Sequence, residues 1–192
     1  MYEQSVLNNG LRVVTNRLDG RESIGLAIWV RVGGRYESKQ RSGISHFVEH
    51  MLFKGTKNRS IKQIKEEVEG VGGMLNAFTG EESTCYFVKI PKAHLETAFD
   101  VLQDMINHST LPQDEFKKEK GVILEEIKMY LDHPSQYVHE LMGELLWPMQ
   151  PLGRPLAGTL KSVSGLERTD LDHHVQSYYH PRNVLVTACG EV

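Results

Sequence analysis

Short apolar runs open the chain, and longer runs with helical spacing follow. Residues 4–7 and 11–16 read as two strands around Asn8-Asn9-Gly10, a hairpin turn signal. Residues 24–32 form a third apolar strand, ended by Gly33-Gly34. A helix is expected over residues 42–53. Ser60 caps another, from residue 61 to about residue 68, with Glu66 and Glu67 exposed. Residues 72–79 and 83–90 look like a strand pair. Pro91 opens a helix whose apolar positions are Leu95, Ala98, Phe99, Leu102, Met105 and Ile106. Residues 111–132 read as a long helix, with Pro112 in its first turn and Asp114 and Glu115 at the positive end of its dipole. A further helix spans 135–146. Residues 147–158 are rich in Pro and Gly and read as a surface loop. Thr169 caps a helix to Tyr179, and residues 184–189 form a final strand. Strands first, then mixed strands and helices, give an α+β class: two layers, a mostly antiparallel sheet with helices on one face.

Composition narrows this picture only a little. Hydrophobic content of 40% and charged content of 24% are those of an ordinary globular chain. A net charge of −3 without a basic cluster argues against nucleic acid as a partner. No apolar run is long enough to span a bilayer, and Met1-Tyr-Glu-Gln-Ser5 lacks the cationic and apolar regions of a secretory signal. Cys85 and Cys189 sit in strand-like runs and read as small buried hydrophobes in a reducing compartment, so a cytoplasmic location is expected. Met51, Met74, Met105, Met129 and Met142 read as core packing.

Candidate chemistry concentrates in His46-Phe-Val-Glu49-His50. This run has the apolar content of a helix. His46 and His50 then project from one face, one turn apart, and can grip a single zinc ion. Glu49 projects to nearly the same side, where a carboxylate can take a proton from water activated by the metal. The pattern is H-x-x-E-H, the inverted form of the H-E-x-x-H zinc-protease helix. The alternative is two hydrogen-bonded histidines and a solvated glutamate.

A catalytic zinc usually takes three protein ligands, so the long helix matters. Its apolar stripe runs through Val122, Ile123, Ile127 and Tyr130. Glu119 and Glu126, two turns apart, fall on that stripe, whereas Glu125 lies on the polar side with Lys118, Lys128 and Asp132. An inward carboxylate needs a partner charge or a metal. Glu126 is therefore the candidate third ligand, with Glu119 one step behind it, orienting ligands. For both, an ordinary salt bridge is the competing reading.

These residues carry a resemblance. The chain resembles the N-terminal half of a pitrilysin or mitochondrial processing peptidase-type metallopeptidase, in particular the bacterial processing-protease branch. The likeness runs through Leu7-Asn-Asn-Gly-Leu-Arg-Val-Val14, Gly33-Gly-Arg-Tyr-Glu37 and the segment from Gly43 to Thr56. It continues in Gly72-Gly-Met-Leu-Asn-Ala-Phe-Thr79, Glu119-Lys-Gly-Val-Ile-Leu-Glu-Glu126 and His180-Pro-Arg-Asn-Val-Leu-Val186. It implies a processing-peptidase-like metallohydrolase fold and one zinc per chain, held by His46, His50 and Glu126. Glu49 is then the base and Glu119 supports catalysis. It further implies that Asn76 and Ala77 lie on an edge strand that pairs with an extended peptide, with Phe53 and Glu82 lining the pocket. Without the resemblance, Asn76 is equally a turn or strand-end residue. The implied activity is endopeptidase action on extended peptides or unfolded leader segments. The implied partners are the peptide and the C-terminal half of a longer protein, and a homodimer is compatible with them. Residues 1–192 then form the N-terminal zinc-binding domain of a protein whose second half is absent from this sequence. Two alternatives stand beside this reading. One is a non-catalytic binding subunit of the same fold. The other is a zinc-binding fragment that is inactive without its second half.

Overall fold

The computed structural model describes residues 2–192. Strands β1 (Tyr2–Val6) and β2 (Arg12–Arg17) form an antiparallel hairpin with Val6 opposite Arg12. Gly10, at φ +86°, supplies the left-handed turn residue between them. Then follow β3 (Ser23–Val30), α1 (Ile44–Leu52), α2 (Ile61–Glu69), β4 (Met74–Thr79) and β5 (Thr84–Pro91). The second part of the chain is α3 (Leu95–His108), α4 (Gln113–Leu131), α5 (Pro134–Leu146), α6 (Leu160–Gly165), α7 (Arg168–Tyr178) and β6 (Val184–Gly190).

The six strands make one sheet in the order β1-β2-β6-β3-β5-β4. Only β2 and β6 run parallel; every other pair is antiparallel. The last strand thus inserts at the centre, and β4 is left on an edge.

Alternation along β3 sets the layers. Ile24, Leu26, Ile28 and Val30 are buried, and the last three join Tyr86, Val88 and Ile90 of β5 in the core. From the helices come Phe47, Met51, Leu102, Met105, Ile123 and Leu171. The expected two-layer α+β class, a mostly antiparallel sheet with helices on one face, is the observed one. On the other face Ala27, Trp29 and Phe87 are only partly covered, and Phe78 is exposed.

Several local expectations are corrected. Pro91 does not open a helix; it closes β5 opposite Ser23, and a 3-10 turn, Lys92–His94, precedes α3. A strand end tolerates Pro because the missing N–H breaks no ladder. The cap of α7 is Glu167, not Thr169, because Asp170 three residues on accepts the Glu167 N–H at 3.0 Å. Helix α6 was not foreseen. Its Thr159 and Ser162 cap each other, with Oγ1 and Oγ accepting the partner N–H at 3.1 and 2.9 Å, and serine replaces the usual Glu or Gln of such a box. Phe99 and Val122 face solvent, as do Met74, Met129 and Met142. The inward stripe of α4 is Phe116, Glu119, Ile123 and Ile127, roughly a quarter-turn from Val122. Cys85 is buried as expected, but Cys189 is exposed, because it points to the face that carries no helices.

Candidate metal centre

Helix α1 buries Ile44, Phe47, Val48, Met51 and Leu52 and turns His46, Glu49 and His50 the other way. Its start is fixed from outside. The buried Glu37 carboxylate accepts the Gly43 and Ser45 N–H groups at 2.7 and 2.8 Å, occupying the positive end of the helix. Gly43 has φ +92°, and a Cβ there would meet the Ala157 carbonyl oxygen at 2.4 Å, so glycine lets residues 157–158 close over this end. Phe47 stacks on Phe116 with ring centroids 4.9 Å apart, which ties α1 to α4.

That packing brings together donors from two helices. His46 Nε2 and His50 Nε2 are 3.2 Å apart, and each is 3.8 Å from an oxygen of Glu126. One ligand atom from each of the three lies within 4.8 Å of the others. Zinc bonds of 2.0–2.2 Å at tetrahedral angles set donors roughly 3.3 Å apart, so this set fits a zinc ion with little adjustment. The tautomer of one ring is set by its neighbour. His50 Nδ1 is 2.8 Å from Glu119 Oε1, so a neutral His50 carries its proton there and keeps the Nε2 lone pair free. His46 Nδ1 is buried and has no hydrogen-bond partner among the described residues, so no contact sets the tautomer of that ring.

Burial and neighbouring charges shift the groups in different directions. Burial, aided by the neighbouring His50, lowers the His46 pKa to about 4 and keeps the ring neutral. Burial also depresses His50, but the hydrogen bond and charge of Glu119, with Glu126 and Glu49, outweigh it and raise the pKa. Burial raises Glu49, opposed by a hydrogen bond from Thr79 Oγ1 at 2.5 Å to its Oε2. Burial would raise Glu119, yet hydrogen bonds from His50 and Lys54 hold it below the usual carboxylate range. Glu125, by contrast, is 72% exposed and paired with Lys128 at 2.7 Å.

A cavity of about 540 Å³ opens beside these groups. His46, Glu49, Ala77, Thr79, Glu81, Tyr130, Glu140, Trp147 and residues 152–157 line it. The segment 147–158 is therefore a cavity wall as well as a surface loop. Among the sequence-derived candidates, His46, Glu49 and Ala77 line the cavity, and His50, Glu126 and Glu119 join His46 in the donor cluster beside it. The other three belong to neither group. Asn76 is exposed on edge strand β4, opposite Phe87, and its Oδ1 accepts the Ala77 N–H at 2.8 Å. Phe53 packs beside Tyr86, ring centroids 6.5 Å apart, because its apolar ring fills the core behind α1. Glu82 pairs with Arg35 in solvent, and its neighbour Glu81 takes the inward side of the turn. Thr79, Glu81, Tyr130 and Lys54 were missed. Thr79 was legible as the residue two beyond Ala77 on the same strand face, and Lys54 as the residue four beyond His50.

Residues 12–160 match the model of Insulinase (Peptidase family M16). The chain belongs to this family. It is 38% identical over 192 residues to the uncharacterized zinc protease YmxG of Bacillus subtilis, covering all of this chain and 47% of that protein. Over 188 residues it is 32% identical to a probable mitochondrial-processing peptidase subunit beta of Arabidopsis thaliana, covering 98% of this chain and 35% of that one. Among solved structures, a protease from Helicobacter pylori superposes with a TM-score of 0.96 at 28% identity, over 100% of this chain and 47% of the other. A peptidase M16 inactive domain from Pseudomonas fluorescens superposes at 0.92 with 15% identity, over 100% and 47%, a likeness of fold alone. The chain thus spans about half the length of relatives such as YmxG. The resemblance seen in the sequence is borne out, and zinc use belongs to relatives of the family.

Proposed function

We propose that this chain is the metal-binding catalytic half of a zinc endopeptidase acting on extended or unfolded peptides. The observation that carries the reading is the convergence of His46 Nε2, His50 Nε2 and a Glu126 oxygen beside a cavity that Glu49 also faces. These three residues would hold one zinc ion. When bound, the ion supplies Lewis-acid polarisation of the scissile carbonyl and acidifies water at its open position. Glu49 accepts the proton at a carboxylate oxygen and delivers it to the leaving amine. Its raised pKa suits a group that must take and return a proton, and the Thr79 hydroxyl fixes which oxygen is engaged. Glu119 holds the His50 ring in the tautomer that leaves Nε2 unprotonated. Edge strand β4 offers its backbone to an extended peptide, a mode that binds with little sequence preference of its own. Ala77, small and inward, leaves room beside the donors.

The complete donor set favours this reading over a non-catalytic subunit of the same fold. The facing wall is assigned to the remaining half of a longer protein, so the chain alone should bind zinc and cleave slowly. The test is zinc content together with cleavage of an unfolded peptide, alone and mixed with the separately made second half. Bound zinc, loss on chelation and a rise in cleavage on mixing are expected. Absence of zinc from a folded chain overturns the metal reading, and cleavage by the chain alone as fast as by the longer protein overturns the two-halves reading.

A further inference from the structure

Lys54 lies one turn beyond His50, as His50 lies one turn beyond His46. Opposite this line runs α4 with Glu126 and, two turns earlier, Glu119. The pairing is ladder-like. Glu126 spans His46 and His50, and Glu119 spans His50 and Lys54. The Glu119 side chain is 8% exposed, with Oε1 2.8 Å from His50 Nδ1 and Oε2 2.6 Å from Lys54 Nζ. Among the described residues, Lys54 is the only lysine or arginine within ion-pair distance of Glu49, Glu119 or Glu126.

The lysine is held from both sides. Its own N–H bonds to the Met51 carbonyl at 3.1 Å, continuing the helix end. The next turn is anchored to α3 by the fully buried Asp104, which accepts from Thr56 Oγ1 and Asn58 Nδ2 at 2.6 Å and from Arg59 Nη1 at 3.0 Å. Backbone bonds from Lys57 to His108 and from Thr110 to Gly55 fasten the same turn. An exposed ion pair would contribute little. Here a nearly buried carboxylate has two partners, and removing the ammonium leaves an under-compensated charge that turns toward solvent or water.

We infer that Lys54 is a positioning residue of the metal centre: its ammonium locks the second Glu119 oxygen so that the first stays on His50 Nδ1 and His50 Nε2 stays aimed at the metal. The inference rests on the zinc reading above. It also closes the local charge, since Glu49, Glu119 and Glu126 then face one divalent ion and one ammonium. Lys54 touches neither substrate nor metal and acts through Glu119.

The test uses this chain and zinc itself, with affinity measured by chelator competition and thermal melting of the metal-free protein as control. Loss of a ligand's hydrogen-bond partner typically weakens metal binding about 10–100-fold. Glu119→Gln should fall in that range. Lys54→Met and Lys54→Gln should weaken zinc about tenfold in protein that melting shows to be folded at the temperature of the titration, and Lys54→Arg should restore most of the affinity. The double variant Lys54→Met with Glu119→Gln should bind no more weakly than Glu119→Gln alone, because the lysine acts through that carboxylate. Cobalt-loaded Lys54→Met should also show an altered visible spectrum. Affinity of Lys54→Gln within twofold of the parent, or effects of the two substitutions that multiply, overturns the inference. Zinc retained in His50→Ala overturns the underlying metal reading instead, so the two failures are distinguishable.

Discussion

Helices α1 and α5 flank one cavity and could hardly differ more. Of the nine residues of α1, six are buried, and of the other three His50 is held by Glu119 and Glu49 by Thr79, while His46 stands beside His50. None of the thirteen residues of α5 is buried, and Val138, Leu141, Met142, Leu145 and Leu146 lie exposed along it. The metal side is preorganised by contacts within this chain. The far wall is apolar and uncovered within this chain. Electrostatic catalysis needs both a fixed donor set and exclusion of water. On the proposed zinc-peptidase reading, the contrast leads us to expect metal binding from this chain and efficient turnover only once the α5 side is covered.

The largest expected effects fall on the rigid side. Glu126→Gln should abolish stoichiometric zinc, whereas Glu125→Gln, altering an exposed side chain paired with Lys128, should leave affinity unchanged. Chelator competition on both variants decides it, and equal affinities would refute the assignment of the third ligand. Glu49→Gln should keep zinc and lower peptide hydrolysis by the active assembly about 10²–10⁴-fold, the usual worth of a general base. Hydrolysis at the parental rate would remove Glu49 from that role.

The same contrast explains what was legible in the sequence. Period-two and period-3.6 patterns mark the strands and the longer helices, including α5, whose apolar stripe is exposed; the six-residue α6 is too short to show a period. Glu126 was separated from Glu125 by the same logic, since they point to different sides of α4. Val122 and Phe99 failed because an apolar residue at the margin of a stripe looks like a member of it until the partner surface is known. The local spacing of Lys54 and Thr79 marks only the side they face; their roles come from contacts with residues 65 and 30 positions away, which no local pattern reports. Glu81 and Glu82 are adjacent, and only the turn's conformation chooses which one faces the cavity.

A smaller effect probes how firmly α1 is anchored to its neighbours. His174 of α7 is buried with Nε2 3.4 Å from Ser45 Oγ, and burial, reinforced by Arg41, lowers its pKa to about 4. The unfolded chain binds a proton on this residue near pH 6.5. Between those values the unfolded state carries more protons, so stability falls as pH falls, by at most about 1.4 kcal/mol per pH unit from this one group. The contribution is complete above pH 6.5 and lost progressively toward pH 4. His174→Phe should therefore flatten the acid side of the stability profile. Denaturant melts of parent and variant at pH 7 and pH 5 check it, and parallel losses in both would show that His174 does not titrate this way.

The smallest expected effect lies on α5, and it is the sharpest check of the contrast itself. Leu145 is 77% exposed, so Leu145→Glu removes almost no buried area and adds a charge that water already solvates. Surface changes of this kind usually stay within about 0.5 kcal/mol. Met51→Ala on α1, at 0% exposure, should cost about 2–5 kcal/mol by the usual measure of a buried large-to-small change. Denaturant midpoints of the two variants, measured on this chain alone, give the comparison directly. Near-parental stability for Leu145→Glu together with impaired pairing with the second half is the expected outcome, because a charge on an apolar face opposes its burial against any partner. If Leu145→Glu instead destabilised the isolated chain as much as Met51→Ala, α5 would already be packed within it. The far wall would then be as complete as the metal side.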